Sequence, residues 1–353
     1  MNSRKQWSQL PPDLLHQISQ MLGDALNFVR FRAVCKEWRE ATDQSDPPLQ
    51  LPWLVGYFHD GRRGMKYQIY SLCNNKIHTI HRPKADPNCT ITGPSNDYML
   101  IHYGGTRYQA PSSYFIDPLS RYESISLPFS GFESGEIIRV THNAITNEDC
   151  IALSLRYRNP DGSSKCQIKF WHQDIGMWYT VDLSTGPGTA TYYKERIYVS
   201  MKKRRTHVLD IGQKRIVAKI PPPLSGGLMN SINFDYLIEA PDMLLRVLRV
   251  DNQVKSGQLT SRFHVYQLDD KDQKHYWVKV DNINNLILFL DKNQGLAISA
   301  DKYCGIRGNC IFFLRKLRRH RYEECFLCRY NMADEEIETL SIFNGTWFVP
   351  NLK

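Results

Sequence analysis

The feature that most constrains the fold is a paired-strand pattern that recurs along most of the chain. Each unit contains an aromatic or β-branched strand, a polar turn with Asn, Asp or Gly, and a second strand that closes on hydroxyl or aliphatic residues. Because the units recur with a period of about fifty residues, the pattern predicts a repeat architecture. Six such units lie at residues 68–83, 114–128, 168–182, 206–221, 263–280 and 326–341.

Further strands between these units would complete each repeat. They lie at residues 98–103, 151–157, 196–201, 243–250 and 310–314, and we expect them to supply the inner pair of each sheet. Four strands per period predict a β-propeller rather than a sandwich, with six blades favoured and seven as the alternative. Segments 53–58 and 347–352 are left at the two ends. We expect both to share one blade, because closure of the ring removes unpaired sheet edges.

The start of the chain shows helical periodicity instead. Apolar residues at positions 14, 15, 18, 21 and 22 fall on one face of a helix that is expected to end at Gly23. Pro11 and Pro12 suit the beginning of that helix, and Asp13 suits its first turn, where the helix dipole favours negative charge. A second short helix is predicted around residues 26–31.

A third helix is predicted where Val34, Trp38 and Ala41 fall at i, i+4 and i+7. A Pro-rich joint follows at residues 46–52, where helix continuation is disfavoured. The chain therefore reads as α+β by segregation, with a helical module at 4–45, the joint, and an all-β propeller at 53–353. A module of about forty residues cannot bury its own large apolar side chains, so these are expected to find burial elsewhere.

Two segments of the module, LPPDLLHQI at residues 10–18 and RAVCKEWR at residues 32–39, resemble the F-box of plant F-box proteins. The resemblance implies docking on a Skp-type adaptor, which connects to a cullin and a RING subunit in a ubiquitin ligase. The alternative is that the same apolar residues pack the module against the downstream domain. By motif position, the adaptor contact would be formed by Leu10, Pro11, Leu14, Leu15, Ile18, Leu22, Val34, Cys35 and Trp38.

The rest of the chain is similar to the C-terminal, kelch-like domain of unknown function in the same plant family. The segments that carry this likeness lie at residues 115–118, 233–239, 308–313 and 347–350. The resemblance implies a non-catalytic substrate receptor of an SCF-type (Skp adaptor, cullin, F-box) ligase, whose propeller binds a protein target for ubiquitination and proteasomal degradation. Two alternatives remain open: a non-degradative scaffold or transcriptional partner, and a propeller hydrolase with its site in the central channel.

The chain lacks the common motifs for phosphate, dinucleotide, zinc-protease and hydrolase sites, so no catalytic residue and no cofactor are assigned. Cys304, Cys310, Cys325 and Cys328 suggest a zinc site. However, residues three apart on a strand point to opposite faces, so Cys325 and Cys328 are not expected to share one metal ion. No metal is therefore expected.

Two basic runs account for the whole net charge of +9. The readings are solvated loop tips, a nuclear-import signal, or a surface for an acidic or phosphorylated partner, whereas direct nucleic-acid binding is not expected. No apolar run is long enough to span a bilayer, and the polar start lacks a secretory signal, so we expect a nuclear and/or cytoplasmic protein without membrane contact. The runs comprise Lys202, Lys203, Arg204 and Arg205, and Arg315, Lys316, Arg318, Arg319 and Arg321.

Overall fold

The structure is a computed structural model of the whole chain. The residues that it describes are 10–22, 25–42, 51–59, 65–81, 89–95, 98–103, 112–116, 124–126, 137–141, 151–156, 166–172, 177–183, 187–201, 205–223, 231–253, 259–270, 275–291, 294–303, 306–319 and 322–348.

Three short helices come first, α1 (Pro12–Gln20), α2 (Ala25–Arg32) and α3 (Lys36–Glu40). Pro12 takes the first helical position, where its missing N–H costs no hydrogen bond. The first two helices match the predictions, although α1 ends before Gly23. The third is shorter than expected, because the extended backbone of Cys35 delays its start and leaves Val34 outside it.

Strands follow from residue 53 onward and form six sheets in the part of the chain that the structure describes. Blade 1 contains β1 (Trp53–His59), β2 (Met65–Ser71), β3 (Lys76–His81) and the last strand, β25 (Thr346–Phe348). Blade 2 contains β4 (Cys89–Ser95), β5 (Tyr98–Tyr103), β6 (Ser112–Ile116) and β7 (Ser124–Ser126). Blade 3 contains β8 (Ile137–Thr141), β9 (Ile151–Arg156), β10 (Cys166–His172) and β11 (Trp178–Leu183).

The remaining three blades have the same character. Blade 4 contains β12 (Pro187–Tyr193), β13 (Arg196–Met201), β14 (Thr206–Asp210) and β15 (Arg215–Ile220). Blade 5 contains β16 (Phe234–Ala240), β17 (Met243–Gln253), β18 (Leu259–Asp269) and β19 (Tyr276–Val280). Blade 6 contains β20 (Leu286–Leu290), β21 (Gly295–Ser299), β22 (Cys310–Arg319), β23 (Tyr322–Asn331) and β24 (Ile337–Ile342), with a 3₁₀ turn (Ala300–Lys302) after β21.

The innermost strand of each sheet packs against the innermost strand of the next sheet. Strand β25 contacts β4, β4 contacts β8, and the series continues through β12 and β16 to β21. Blade 6 returns to blade 1 through a shared apolar core that contains Leu54, Phe289 and Trp347. The sheets therefore form a closed ring, and both the predicted propeller and the six-blade count are confirmed.

The predicted paired-strand units occupy a constant place in the blades. In every sheet they are the two strands farthest from the ring centre, for example β14 with β15 and β18 with β19. The strands predicted between them, such as β5 and β13, lie next inward. The innermost strands β4, β8, β12 and β21 were missed, because their short, Gly- or Thr-containing sequences show no clear alternation.

The first and last strands of the propeller close the ring in blade 1, as predicted. Strand β25 pairs with β1, with Leu54 opposite Trp347 and Val55 opposite Thr346. A glycine is required just before β25, because a Cβ at Gly345 would lie 2.6 Å from the carbonyl oxygen of Val55. The last strand is therefore held by a close backbone contact at Gly345 and by the buried indole of Trp347.

Blade 6 departs from the simple meander. Strand β20 pairs in parallel with β22, because the chain first adds β21 on the inner side and then crosses over. One reading of the basic run that begins at Arg315 was a solvated loop tip, and for residues 315–319 this placement is wrong. Arg315, Lys316, Arg318 and Arg319 continue strand β22 and pair with Phe326 to Tyr322 of β23.

Two buried arginines of β17 join blade 5 to its neighbours. Arg246 forms an ion pair with Asp235 at 2.7 Å and donates to Thr206 Oγ1 of blade 4 at 3.2 Å. Arg249 donates to the carbonyl oxygen of Leu314 in blade 6 at 2.8 Å. Because side chains alternate along a strand, the three-residue spacing sends the two guanidinium groups to opposite faces of the sheet.

Candidate functional site

An exposed apolar stripe runs along α1. Leu14 is 46% exposed, Ile18 40% and Met21 84%, and the three residues follow at i, i+4 and i+7. This spacing aligns them on one helix face. The opposite face is turned inward, because Leu15 and Ser19 are buried. The residues of the stripe therefore do not belong to the buried core of the module.

The buried residues of the module define how its helices pack. Leu15, Phe28 and Phe31 are buried, and the rings of Phe31 and Trp38 lie 4.4 Å apart between centroids. Helix α3 contacts both α1 and α2. Leu15 was predicted in the adaptor contact, but its 1% exposure makes it a core residue of the module. Trp38 also packs inside the module, through the contact of its ring with Phe31.

The other predicted contact residues have different degrees of exposure. Val34 is exposed between α2 and α3, and Pro11 is exposed just before α1. Leu10, Leu22 and Cys35 are half-buried. The structure therefore brings Leu14 and Ile18 into one stripe, whereas Val34 stands on the segment that leads into α3. The predicted contact set did not include two further exposed apolar residues, Met21 and Val29 of α2.

Side-chain hydrogen bonds hold the end of α3 against α2. Arg32 Nη1 donates to Thr42 Oγ1 at 2.8 Å and also to the carbonyl oxygen of Thr42. In return, Arg39 Nε donates to the carbonyl oxygen of Arg32 at 3.2 Å. These bonds satisfy backbone carbonyls that a helix end leaves without partners. They keep the exposed apolar residues on a fixed scaffold.

Two of the cysteines whose positions suggest a zinc site, Cys325 and Cys328, lie on opposite faces of the sheet. Cys325 belongs to the core between blades 6 and 1, and Cys328 belongs to the core between blades 5 and 6. Burial raises the pKa of Cys310 to about 11 and also raises the pKa of Cys328, so both thiols stay protonated at neutral pH. Cys304 lies outside the described residues. Within those residues, no group of three or more His, Cys, Asp or Glu could hold a metal ion.

The two basic runs occupy different settings. Arg205 is exposed just before β14, and Lys202, Lys203 and Arg204 lie outside the described residues, as does Arg321. Arg315 is half-buried in β22, where Nη2 donates to Thr339 Oγ1 at 3.3 Å. The second run is therefore partly a component of the sheet. No helix among the described residues is long and apolar enough to cross a bilayer.

Two family models match the two parts of the chain. Residues 7–46 match the family model described as F-box-like, and residues 69–344 match the one described as KIB1-4 beta-propeller. The β-propeller domain of Cps50 (Swd1) from Myceliophteria thermophila, a solved structure, aligns at 11% identity with a TM-score of 0.36, covering 83% of this chain and 86% of that chain.

Relatives match along the whole chain. The probable F-box protein At4g22060 of Arabidopsis thaliana is 24% identical, over 100% of this chain and 98% of that protein. The putative F-box protein At4g22660 of the same plant is 45% identical, over 98% of this chain and 97% of that protein. The chain therefore belongs to the KIB1-4 beta-propeller family and carries an F-box-like module ahead of its propeller.

Proposed function

We propose that this protein is the substrate-recognition subunit of an SCF-type ubiquitin ligase. The helical module docks on a Skp-type adaptor, and the propeller binds the protein that is to be ubiquitinated. The observation that carries the proposal is the exposed stripe of Leu14 and Ile18 on α1 with Met21 directly after the helix. Large apolar side chains grouped on one helix face support docking against another protein.

The energetics of the stripe favour a stable contact. Fully burying a Leu, Ile or Met side chain contributes about 1.5–3 kcal/mol, and these three side chains are partly to largely exposed in the free chain. Val34 adds a further exposed apolar group on the segment before α3. The underlying core, with Leu15 and Phe28, keeps α1 in place, so little ordering is required on binding.

The proposed role needs no catalytic group in this chain. In such a ligase, the thioester chemistry belongs to the ubiquitin-conjugating enzyme, which the cullin and RING subunits bring to the complex. The receptor acts by proximity, because holding a target near that enzyme raises the effective concentration of its lysines. We propose proteasomal degradation of the target as the consequence.

Replacing Leu14 and Ile18 together by Asp should abolish adaptor binding. Two carboxylates would have to be buried without partners, which costs several kcal/mol, so we expect affinity to fall by at least about a hundredfold. The measurement is calorimetric titration of the purified full chain with a Skp-type adaptor. Circular dichroism and the thermal midpoint of each variant establish that the module and the propeller stay folded.

A matched control is available on the propeller. Ile77 of β3 and Val278 of β19 are exposed to a similar degree, so an Ile77→Asp/Val278→Asp variant carries the same chemical change elsewhere. Its adaptor affinity should equal that of the wild type. Equal affinity of the Leu14/Ile18 variant and the wild type would contradict the docking face, and failure of the folded wild type to bind would contradict the proposal.

Degradation is tested separately, by the lifetime of a co-purifying target in cells with either variant.

We also propose that the chain works in the nucleus as well as the cytoplasm. The proposal is supported by four consecutive cations at residues 202–205, of which Arg205 is exposed. A Lys202→Ala/Lys203→Ala variant fused to a fluorescent protein should shift from the nucleus to the cytoplasm. An unchanged distribution beside the wild-type fusion would contradict a role of this run in import.

A further inference from the structure

Two cationic side chains and a histidine lie at one end of the hairpin formed by β14 and β15 in blade 4. His207 of β14 lies directly opposite Lys219 of β15, and Arg205 stands two residues before His207. Side chains directly opposite in an antiparallel pair have Cβ atoms about 4.5–5.5 Å apart, and Arg205 is close enough for its charge to act on the imidazole of His207. The backbone at Arg205 is held in place, because its carbonyl oxygen accepts from Met201 N at 3.0 Å.

The charges of this group are not compensated by the described residues. Arg205 and Lys219 are exposed, and neither side chain makes an ion pair or a hydrogen bond within the described part of the chain.

The imidazole of His207 is unsatisfied in this setting. The residue is 6% exposed, and its Nδ1 is fully buried without a hydrogen-bond partner among the described residues. Burial lowers the pKa of His207, and the charges of Lys219 and Arg205 lower it further. A buried polar atom without a partner costs about 1–3 kcal/mol, so native structures rarely keep one without a reason.

We propose that Arg205, His207 and Lys219 form an anion-binding site that takes a phosphate group on a segment of the target protein. A phosphorylated side chain carries about −1.5 to −2 charges and three strong acceptor oxygens, so one such group balances both cations. Identification of the partner as a target rests on the proposed function, whereas the binding of phosphate does not.

Each residue has a distinct part in this site. The planar guanidinium of Arg205 presents paired donors that match phosphate oxygens, and Lys219 supplies a compact charge. His207 is a positioning residue beneath them. Burial is the larger cause of the lowered pKa of His207, and a bound dianion offsets the smaller contribution of the two cations, so binding should raise this pKa.

The first test is a titration of the full chain, labelled at histidine, with inorganic phosphate at constant pH. The His207 resonance, assigned from a His207→Gln variant, should shift with saturation. An Arg205→Ala/Lys219→Ala variant should bind at least about tenfold more weakly, because two charge-assisted contacts are lost. A Lys76→Ala/Arg307→Ala variant removes two other exposed cations and should bind like the wild type.

The second test measures binding of phosphoserine peptides and of their unphosphorylated counterparts to the wild type and to the two double variants. We expect phosphate-dependent binding that only the Arg205/Lys219 variant loses. The proposal is overturned if the His207 resonance does not respond to phosphate, if both double variants bind equally, or if a single-stranded RNA binds through these residues while phosphopeptides do not. No adaptor is present in these titrations, so their failure would leave the docking of the helical module untouched.

Discussion

Replacing Trp347 by Ala should lower the free energy of unfolding of the propeller by about 3–5 kcal/mol, the usual cost of removing a large buried aromatic side chain. Trp347 is 2% exposed and packs its ring 4.8 Å from that of Phe289. Its Nε1 also donates to the carbonyl oxygen of Leu290 at 3.1 Å. Because β25 has only three residues, this side chain supplies most of the attachment of the last strand.

The thermal midpoint, measured by calorimetry, should fall by about 5–10 °C in this variant. Hydrogen exchange should locate the loss in β1 and β20, the two strands that Trp347 joins. A Tyr276→Ala variant removes an aromatic side chain that is half exposed, and its stability should change by under about 1 kcal/mol. Equal effects of the two substitutions would show that the last strand does not hold the ring together.

Replacing Asp235 by Ala should destabilise the propeller by about 3–5 kcal/mol, because the substitution leaves Arg246 as a buried charge without its carboxylate. Both side chains are at most 3% exposed. Arg246 Nε and Nη2 each donate to one carboxylate oxygen of Asp235, at 3.0 and 2.7 Å. The bond to Thr206 Oγ1 remains, but a hydroxyl does not neutralise a guanidinium.

The denaturation midpoint in urea, followed by tryptophan fluorescence, measures this effect. Two controls separate the cost of an unpaired charge from that of lost packing. An Asp235→Leu/Arg246→Met variant replaces the pair by apolar groups and should lie close to the wild type. A Glu338→Ala variant breaks an exposed pair with Arg329 and should cost at most about 1 kcal/mol. A double variant as unstable as Asp235→Ala would contradict the explanation.

The last strand of blade 4 was predictable because burial alternates along it. In β15 exposed and half-buried positions alternate from Arg215 to Lys219, and a polar turn precedes the strand. The innermost strands carry no comparable signal. Strand β16 is buried at most positions, so its burial does not follow a period of two. Such strands are recognised only from the partner sheets that cover both of their faces.

The candidate site was predictable in part for the same reason. The i, i+4 spacing of Leu14 and Ile18 is visible in the chain, and both residues lie on the exposed stripe. The motif alone could not separate Leu15 from them, because all three are apolar and adjacent in the pattern. Only the packing of α3 against α1 decides which residues of α1 face the core and which face the solvent.

The amino-acid sequence alone predicts the division into a helical module and a strand-rich domain, the outer hairpins of the blades and the F-box motif. These properties depend on residues within one helix or one hairpin, where periodic burial is a local matter. Only the three-dimensional packing shows the register of the closing strands, with Val55 opposite Thr346, the crossover in blade 6 and the arginine contacts between blades. Those features join residues that are distant along the chain, and local periodicity carries no information about which distant partner a strand meets.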